Sequence, residues 1–496
     1  MGLREFLCVV EHQAKPLIIP LCADLPLPHF SPDAIFLHLK KNDGFLLESI
    51  EGSEKIARYS YVGFDPELVV SIGKSVQLTG IEPYISIARN LTGENAIDIV
   101  RSILQRFNFI NIKAPRFFGG MVGYFAYDVV YSLFGHRLTT SKPTSDLPLA
   151  QFMLAKNCLV FDHLDKKMFI FCSPLLMYDS NPVEEYEKSR TQIHHIAEAI
   201  AEIEDAKDNR SPQTSHTTFT QCATSMSKGE FCCAVERVKE YIQAGDIFQV
   251  VISRRIDVNL ETNPFSIYRA LRSINPSPYM YYLDFGNFHV VGASPEMLVR
   301  VERRKVTTVP IAGTCMRGST REEDEQLAND LIEDEKERAE HTMLVDLSRN
   351  DIGRVCKFGS VKVEDFMSIE RFSHVQHIVS TVTGVLQDDL DSYDVLKSCF
   401  PAGTVSGAPK IRAMQIVDEI EPHRRALYAG AVGYVGFDRN LEFAITIRTI
   451  VARDRNASIQ VGAGIVADSI PENEWIETEN KAQAMVKAIA AARDYQ

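Results

Sequence analysis

Gly120-Met-Val-Gly-Tyr-Phe-Ala-Tyr-Asp128 returns late in the chain as Gly430-Ala-Val-Gly-Tyr-Val-Gly-Phe-Asp438, identical at both outer positions and at the Val-Gly-Tyr core. Glycines at fixed offsets in an apolar strand mark a bulge or a close backbone approach. The echo reads as two equivalent strands, one per lobe, with a chance match as the competing reading. Around it, the first half alternates short apolar runs with turn signals, as a largely β lobe does. Phe45–Ser49 and Tyr59–Gly63 read as strands flanking a loop at Glu51–Lys55. Residues 182–205 carry helical periodicity through Tyr186, Ile193, Ile196 and Ile200, and the chain then turns polar to Ser225. That polar stretch divides a lobe of residues 1–215 from one of residues 226–496. Ser227-Lys-Gly-Glu230 is a capping box for a helix running to about Gln243 and stopping at Gly245. Strands are expected at Ile247–Ile256, Tyr281–Phe285, Phe288–Gly292 and Val306–Ile311, and a helix at Lys410–Ile420.

With 496 residues and 45% hydrophobic content, the chain can bury a large core in two domains or one two-lobed body. A net charge of −13 argues against a nucleic-acid partner, which needs clustered Lys and Arg. Met1–Glu11 has no signal-peptide pattern, and the apolar run from Phe117 to Gly135 is broken by Asp128, so no membrane span is expected. Ten cysteines without a Cys-x-x-Cys pair read as reduced thiols of a cytoplasmic protein.

The acids are patterned. Read as a helix, Asp334–Asp351 places Glu337, Glu340, His341 and Leu344 along one face. Glu474-Trp-Ile-Glu477, followed by Lys481, repeats the spacing. Two such pairs could converge on a hard divalent cation; the bland alternative is two solvated helix faces. Pro310-Ile-Ala-Gly-Thr314 is expected to close a strand, and Gly462-Ala-Gly464 to end another where a ligand can approach the backbone. Phe400–Lys410 is a glycine-rich loop before a helix whose amides would suit an anion. Arg448 ends an apolar strand and calls for a carboxylate partner. His377 lies in an apolar segment and Glu296 follows a Pro; each reads equally as a core residue.

These motifs, with Leu46-Leu-Glu-Ser49, Gly245-Asp-Ile-Phe-Gln249, Asn275-Pro-Ser-Pro-Tyr-Met280, Ala293-Ser-Pro-Glu296 and Ser406-Gly-Ala-Pro-Lys410, closely resemble the chorismate-utilising enzymes, in particular the large subunits of their anthranilate-forming branch. The resemblance runs from Phe45 to Lys481. It implies an α+β, two-lobed fold with large antiparallel sheets, outer helices and interlaced lobes. It also implies Mg²⁺ held by Glu340 and Glu477, with Glu337 and Glu474 near its waters. Chorismate would be bound by Gly313, Thr314, Tyr428, Arg448, Gly462, Ala463, Gly464 and Lys481. Glu296 would be the acid for the departing hydroxyl, His377 would serve the loss of pyruvate, and Thr404 and Gln249 would complete the catalytic set. Relatives that add water carry Lys where this chain has Gln249, and aminodeoxychorismate synthases, the alternative reading, usually carry a nucleophilic Lys at Ala312. A tryptophan regulatory site would comprise Glu48, Ser49, Pro278, Tyr279, Met280, Val432 and Tyr434, with Glu48 supplying an acid for the amino group. Ammonia would come from a glutamine amidotransferase small subunit, which makes a hetero-oligomer.

Overall fold

The computed structural model describes residues 1–50, 58–110, 112, 115–203, 222–372 and 375–495. The expected loop at Glu51–Lys55 and most of the polar stretch at 205–225 lie outside these residues. Two antiparallel sheets, of 12 and 11 strands, dominate the described chain. The 12-stranded sheet runs from Gln249–Asn259 through Asn456–Ile465, Thr449–Arg453, His289–Ser294 and Tyr279–Asp284 to Gly44–Glu48, Tyr59–Phe64 and the strands beyond. The 11-stranded sheet passes from Met297–Glu302 through Leu441–Ile445 and Ala431–Gly436 to Gly120–Phe125 and Ala150–Ala155. Each sheet therefore contains strands from both halves of the chain.

The two echo stretches are neighbours at the crossing point of the 11-stranded sheet. Gly120–Phe125 pairs antiparallel with Ala431–Gly436, and Gly123 stands directly opposite Gly433. A Cβ at Gly123 would lie 2.0 Å from the Gln151 carbonyl oxygen, and one at Gly433 2.0 Å from that of Glu442. Glycine is what lets each of these strands lie close against its other neighbour, Ala150–Ala155 for Gly123 and Leu441–Ile445 for Gly433. The other crossing pairs Leu46 with Tyr282 and Glu48 with Met280.

Alternation along the strands separates two packing faces. Phe45, Tyr61, Tyr281 and Leu283 turn toward Tyr124, Phe125 and Phe443 of the other sheet, forming the main core between the sheets. Leu46, Val62, Met280 and Tyr282 turn outward beneath the helices Pro264–Ile274 and Pro471–Ala491. The helix Glu335–Gly353 packs instead on Ile311–Met316 and Val375–Val385 of the 11-stranded sheet. The two acid-bearing helices thus ride on different sheets.

Local expectations are largely met. The capping box at Ser227 and Glu230 forms, and its helix spans Lys228–Gln243. Lys410–Ile420 is helical. The strand expected at Val306–Ile311 is instead two, Lys305–Thr308 and Ile311–Met316, because Pro310 breaks the run. Pro310–Thr314 consequently opens a strand rather than closing one, with a bulge at Gly313 (φ +62).

The variant Gly433→Val is expected to lose about 1–3 kcal/mol or more through overpacking against the Glu442 carbonyl beside the seam. A thermal melt of that variant matching the parent would show that the glycine contact does not control the sheet crossing.

Candidate active site

A cavity of ≈200 Å³ opens between the sheets, lined by Gln249, Glu296, Ala312, Glu340, Thr404, Tyr428, Arg448, Gly462, Gly464 and Lys481 among others. These residues come from nine separated segments of the sequence, brought together by the sheet crossings. The two glycines are needed for the cavity's shape: a Cβ at Gly462 would meet the Tyr428 hydroxyl at 2.5 Å, and one at Gly464 the Gln249 amide nitrogen at 2.7 Å. Gln249 Oε1 is buried without a partner among the described residues, which leaves an acceptor for an incoming N–H group.

Glu296 is buried, and Thr404 Oγ1 donates a hydrogen bond to its Oε1 at 2.9 Å. Burial raises its pKa to about 8, although Thr404 and Lys481 pull the other way. A carboxylic acid that is still protonated at neutral pH can donate its proton.

His377 Nδ1 stands 3.0 Å from the Gly313 carbonyl oxygen and 3.0 Å from Thr314 Oγ1. A carbonyl only accepts, so Nδ1 carries the proton and Nε2 keeps its lone pair. Burial lowers the His377 pKa, and the nearby Arg448 lowers it further, so the ring is a neutral base. The bulge at Gly313 aims its carbonyl at the ring. It also brings that residue beside Glu337, whose Oε2 would lie 3.1 Å from a Cβ there.

Arg448 (φ +49) follows the strand Leu441–Ile445 by three residues, and its guanidinium makes no hydrogen bond or ion pair among the described residues. Burial lowers its pKa. A cation enclosed in this way is an anion site in waiting.

The acids gather along the two acid-bearing helices. Asp334 caps its helix by accepting from the Glu337 amide at 2.9 Å, and Glu340 lines the cavity one turn on. Burial raises Glu337, and Glu340, Asp334 and Glu477 raise it further. Glu474 is raised by burial, then by Glu477, and its Oε2 is buried with no partner. Lys481 Nζ bonds Glu477 at 2.5 Å and the Gly462 carbonyl at 3.0 Å. Among the described residues no three metal-binding side chains stand close enough together to form a ready ligand cluster. Hard oxygen donors, mutual repulsion and one orphaned carboxylate oxygen nevertheless suit a divalent cation drawn in with an anionic ligand.

Several expected residues take other positions. Ala463 packs its side chain into a core with Val238 and Ile416, so it offers the cavity only backbone. His341 is buried against Ser380, Nε2 to Oγ 2.6 Å, and burial lowers it to about 4. In the loop Phe400–Lys410, Gly407–Ala408 pairs with Gln249–Val250 and Lys410 turns to Asp351 at 2.7 Å, so the loop supplies Thr404 rather than an anion nest.

The proposed regulatory residues lie apart from this cavity. A slot of ≈50 Å³ between the sheets is bordered by Glu48, Ser49, Tyr279, Met280, Val432 and Tyr434; Pro278 is not part of it. Glu48 does not offer its carboxylate there. Tyr268 donates to that carboxylate, and Arg272 Nε donates at 3.1 Å, on the helix side of the sheet. The acid facing the slot is Glu442, which accepts from Tyr279 and Tyr434, each at 3.0 Å. Sequence reasoning missed Glu442 because only strand register puts it opposite Tyr434.

The family model described as chorismate binding enzyme matches residues 45–487. The chain belongs to the chorismate-binding enzymes. Its curated relatives include anthranilate synthase component 1 of Acetivibrio thermocellus, 46% identical over 96% of both chains. That of Aquifex aeolicus is 45% identical over 97% of this chain and 96% of its own. Among solved structures, anthranilate synthase component I from Streptococcus pneumoniae has a TM-score of 0.72 at 34% identity, covering 93% of this chain and 99% of that one. The chorismate-binding fold also extends to the menaquinone-specific isochorismate synthase of Escherichia coli, with a TM-score of 0.70 at 20% identity over 98% of each chain. No helix among the described residues is long and apolar enough to cross a membrane.

If Glu296 donates its proton, turnover requires the acid form, which is present below about 8 and lost above it. The rate should therefore fall as pH rises through that value. Glu296→Gln should cost roughly 10²–10⁴ in rate and abolish that limb. An unchanged pH profile in the variant would remove Glu296 from the role.

Proposed function

We propose that this chorismate-binding chain converts chorismate and ammonia to anthranilate and pyruvate through aminodeoxyisochorismate. The observation that carries this reading is the unpaired Arg448 in a cavity that Glu340 and the protonated Glu296 also line. Chorismate carries a ring carboxylate and an enolpyruvyl carboxylate. Arg448 and the Tyr428 hydroxyl would take the enolpyruvyl group, helped by the amides of Gly462–Gly464. Gly313, Thr314 and Lys481 would border the ring. Mg²⁺, where bound, would be held by Glu340 and Glu477 with Glu337 and Glu474 near its waters, and supplies neutralisation of the ring carboxylate.

Gln249 Oε1 would accept an N–H of ammonia and orient its lone pair toward the ring. Gln249 cannot ionise, so it does not generate hydroxide from water, and Ala312 brings no amine into the same cavity. Both facts favour anthranilate over isochorismate or 4-amino-4-deoxychorismate. Glu296, with Thr404 fixing one oxygen, would protonate the departing hydroxyl as water. The amine formed releases a proton, which restores the acid. His377 Nε2 would then accept the ring proton whose loss lets pyruvate depart and the ring become aromatic.

The component 1 names of the relatives support a second chain that supplies ammonia, and we assign that role to a glutamine amidotransferase subunit in a cytoplasmic hetero-oligomer. Tryptophan would bind the slot beside Ser49, Met280 and Val432, with Glu442 in place of Glu48 as the acid near its amino group. An indole does not fit the slot of ≈50 Å³ as it stands, so binding requires the sheets to part there.

The purified chain with chorismate, ammonium and Mg²⁺ should produce the fluorescence of anthranilate; accumulation of a non-aromatic amine instead would favour the aminodeoxychorismate reading. His377→Gln should pass the first step and accumulate aminodeoxyisochorismate. Ser49→Phe should fill the slot and weaken tryptophan inhibition, and a variant inhibited like the parent would place the regulator elsewhere.

A further inference from the structure

A further cavity, of ≈540 Å³, belongs to none of these sites. Its rim is formed by the loop Pro143–Leu147 and by His423, Arg453 and Asp454, most of them exposed. Its inner end is lined by Tyr428 and Gln460, and these two residues also line the ring cavity. The cavities lie end to end over one face of the paired strands Gln249–Asn259 and Asn456–Ile465. Gln249, Gly462 and Gly464 lie toward the ring, and Arg255, Asn456 and Ser458 toward solvent.

The partition between them is a hydrogen-bonded wall. Gln460 Nε2 donates to Ser253 Oγ at 2.8 Å, and Ser253 Oγ donates to Glu421 Oε1 at 2.8 Å. Arg425 pairs with the same Glu421 oxygen at 2.6 Å, and its guanidinium lies 5.5 Å from the centre of the Tyr428 ring. A polar frame thus holds two side chains, Gln460 and Tyr428, at the partition. Immediately outside it, Arg255 stands opposite Gln460 across the strand pair. Arg255, Arg424 and Arg453 outnumber the lining acids Asp146 and Asp454, and Arg255 is held by Asp257 through Nε at 3.1 Å, which leaves its other guanidinium nitrogens for an anion.

We propose that this outer cavity is an exit chamber for the three-carbon 2-oxo carboxylate released from the ring, with Gln460 and Tyr428 as its door and Arg255 as its first anion contact. The proposal rests on the reading that Arg448 and Tyr428 hold the enolpyruvyl end. That end abuts the wall through Tyr428, whereas Gln249, placed for the nucleophile, lies further in beside Gly464. Pyruvate is small enough to pass between two side chains, whereas the ring product is larger and needs another way out. Each turnover frees an anion beside Arg448, and the arginines that line the outer cavity attract it outward.

The test uses the full chain with ammonium and Mg²⁺, reading anthranilate by fluorescence and pyruvate by a coupled reductase. Ser458→Trp places a bulky group in the chamber beyond the door. It should produce a burst of one anthranilate per chain followed by slower steady turnover, with kcat/KM for chorismate unchanged. No burst, or a fall in kcat/KM at unchanged kcat, would overturn the proposal, the latter making the chamber an entrance for substrate. Arg255→Met should raise the inhibition constant for added pyruvate about tenfold, the worth of one charge-assisted hydrogen bond; an unchanged constant also overturns it. Direct calorimetric titration of pyruvate into the parent and Arg255→Met proteins stands without turnover. If the parent makes no anthranilate, the functional reading fails, while the chamber is still judged by whether Arg255→Met weakens pyruvate binding.

Discussion

Everything in this molecule hangs on two seams where strands from opposite halves of the chain pair. One joins Gly120–Phe125 to Ala431–Gly436 and the other Gly44–Glu48 to Tyr279–Asp284. The first is closed by glycine against glycine, and the side chains on either side of that contact, Val432 and Tyr434, project into the space between the sheets. Because the metal-side acids are divided between helices carried by different sheets, the gap between Glu337 and Glu477 is a consequence of how the sheets stack. A body that parts the sheets changes that gap.

The small slot lies between the two seams, since Leu47 and Tyr279–Tyr281 line it from one and Val432–Tyr434 from the other. Tyr61 and Tyr434 meet there with ring centroids 5.4 Å apart, and Glu442 accepts from two tyrosine hydroxyls. A wedge at this point acts on both seams at once. On the proposed regulatory reading, the inhibitor needs no contact with the catalytic cavity: it binds the parted sheets, and the population follows its differential affinity. Glu48 contributes through structure instead. Its ion pair with Arg272 ties the seam to the helix Pro264–Ile274, which packs on the acid-bearing helix Pro471–Ala491.

Local chemistry was readable from sequence wherever it was set within a few residues. Ser227 and Glu230 signal their own helix, and the spacing of Glu337, Glu340 and Leu344 implies a face that the structure retains. The glycine echo pointed to equivalent strands, but not to their being partners, because pairing is a long-range choice that no local propensity encodes. The same limit hid Glu442 and the true direction of Glu48: alternation tells that neighbours face opposite ways, and only the packed helix shows which way is out. The resemblance supplied the membership of the ring cavity; periodicity alone could not have joined Gln249 to Gly464 or Thr404 to Glu296. Ala463 shows the converse, a motif residue whose side chain serves the core.

The charge layout of the cavity explains why such a site must be built from distant segments. An unpaired arginine and a cluster of carboxylates would neutralise one another if a single flexible loop carried both. Here Arg448 is fixed by a left-handed backbone just beyond its strand, and the acids are fixed along two helices, so neither can reach the other. The charges stay separated, each short of a partner, and a ligand bearing two carboxylates on a rigid ring can satisfy the arginine directly and the acids through a cation. On the proposed reading, the groups between these poles that handle protons are uncharged at neutral pH, Glu296 by burial and His377 by burial and the neighbouring arginine, and Gln249 beside them carries no charge. Binding energy would then be concentrated at the ends of the substrate, with the middle left free for proton transfer.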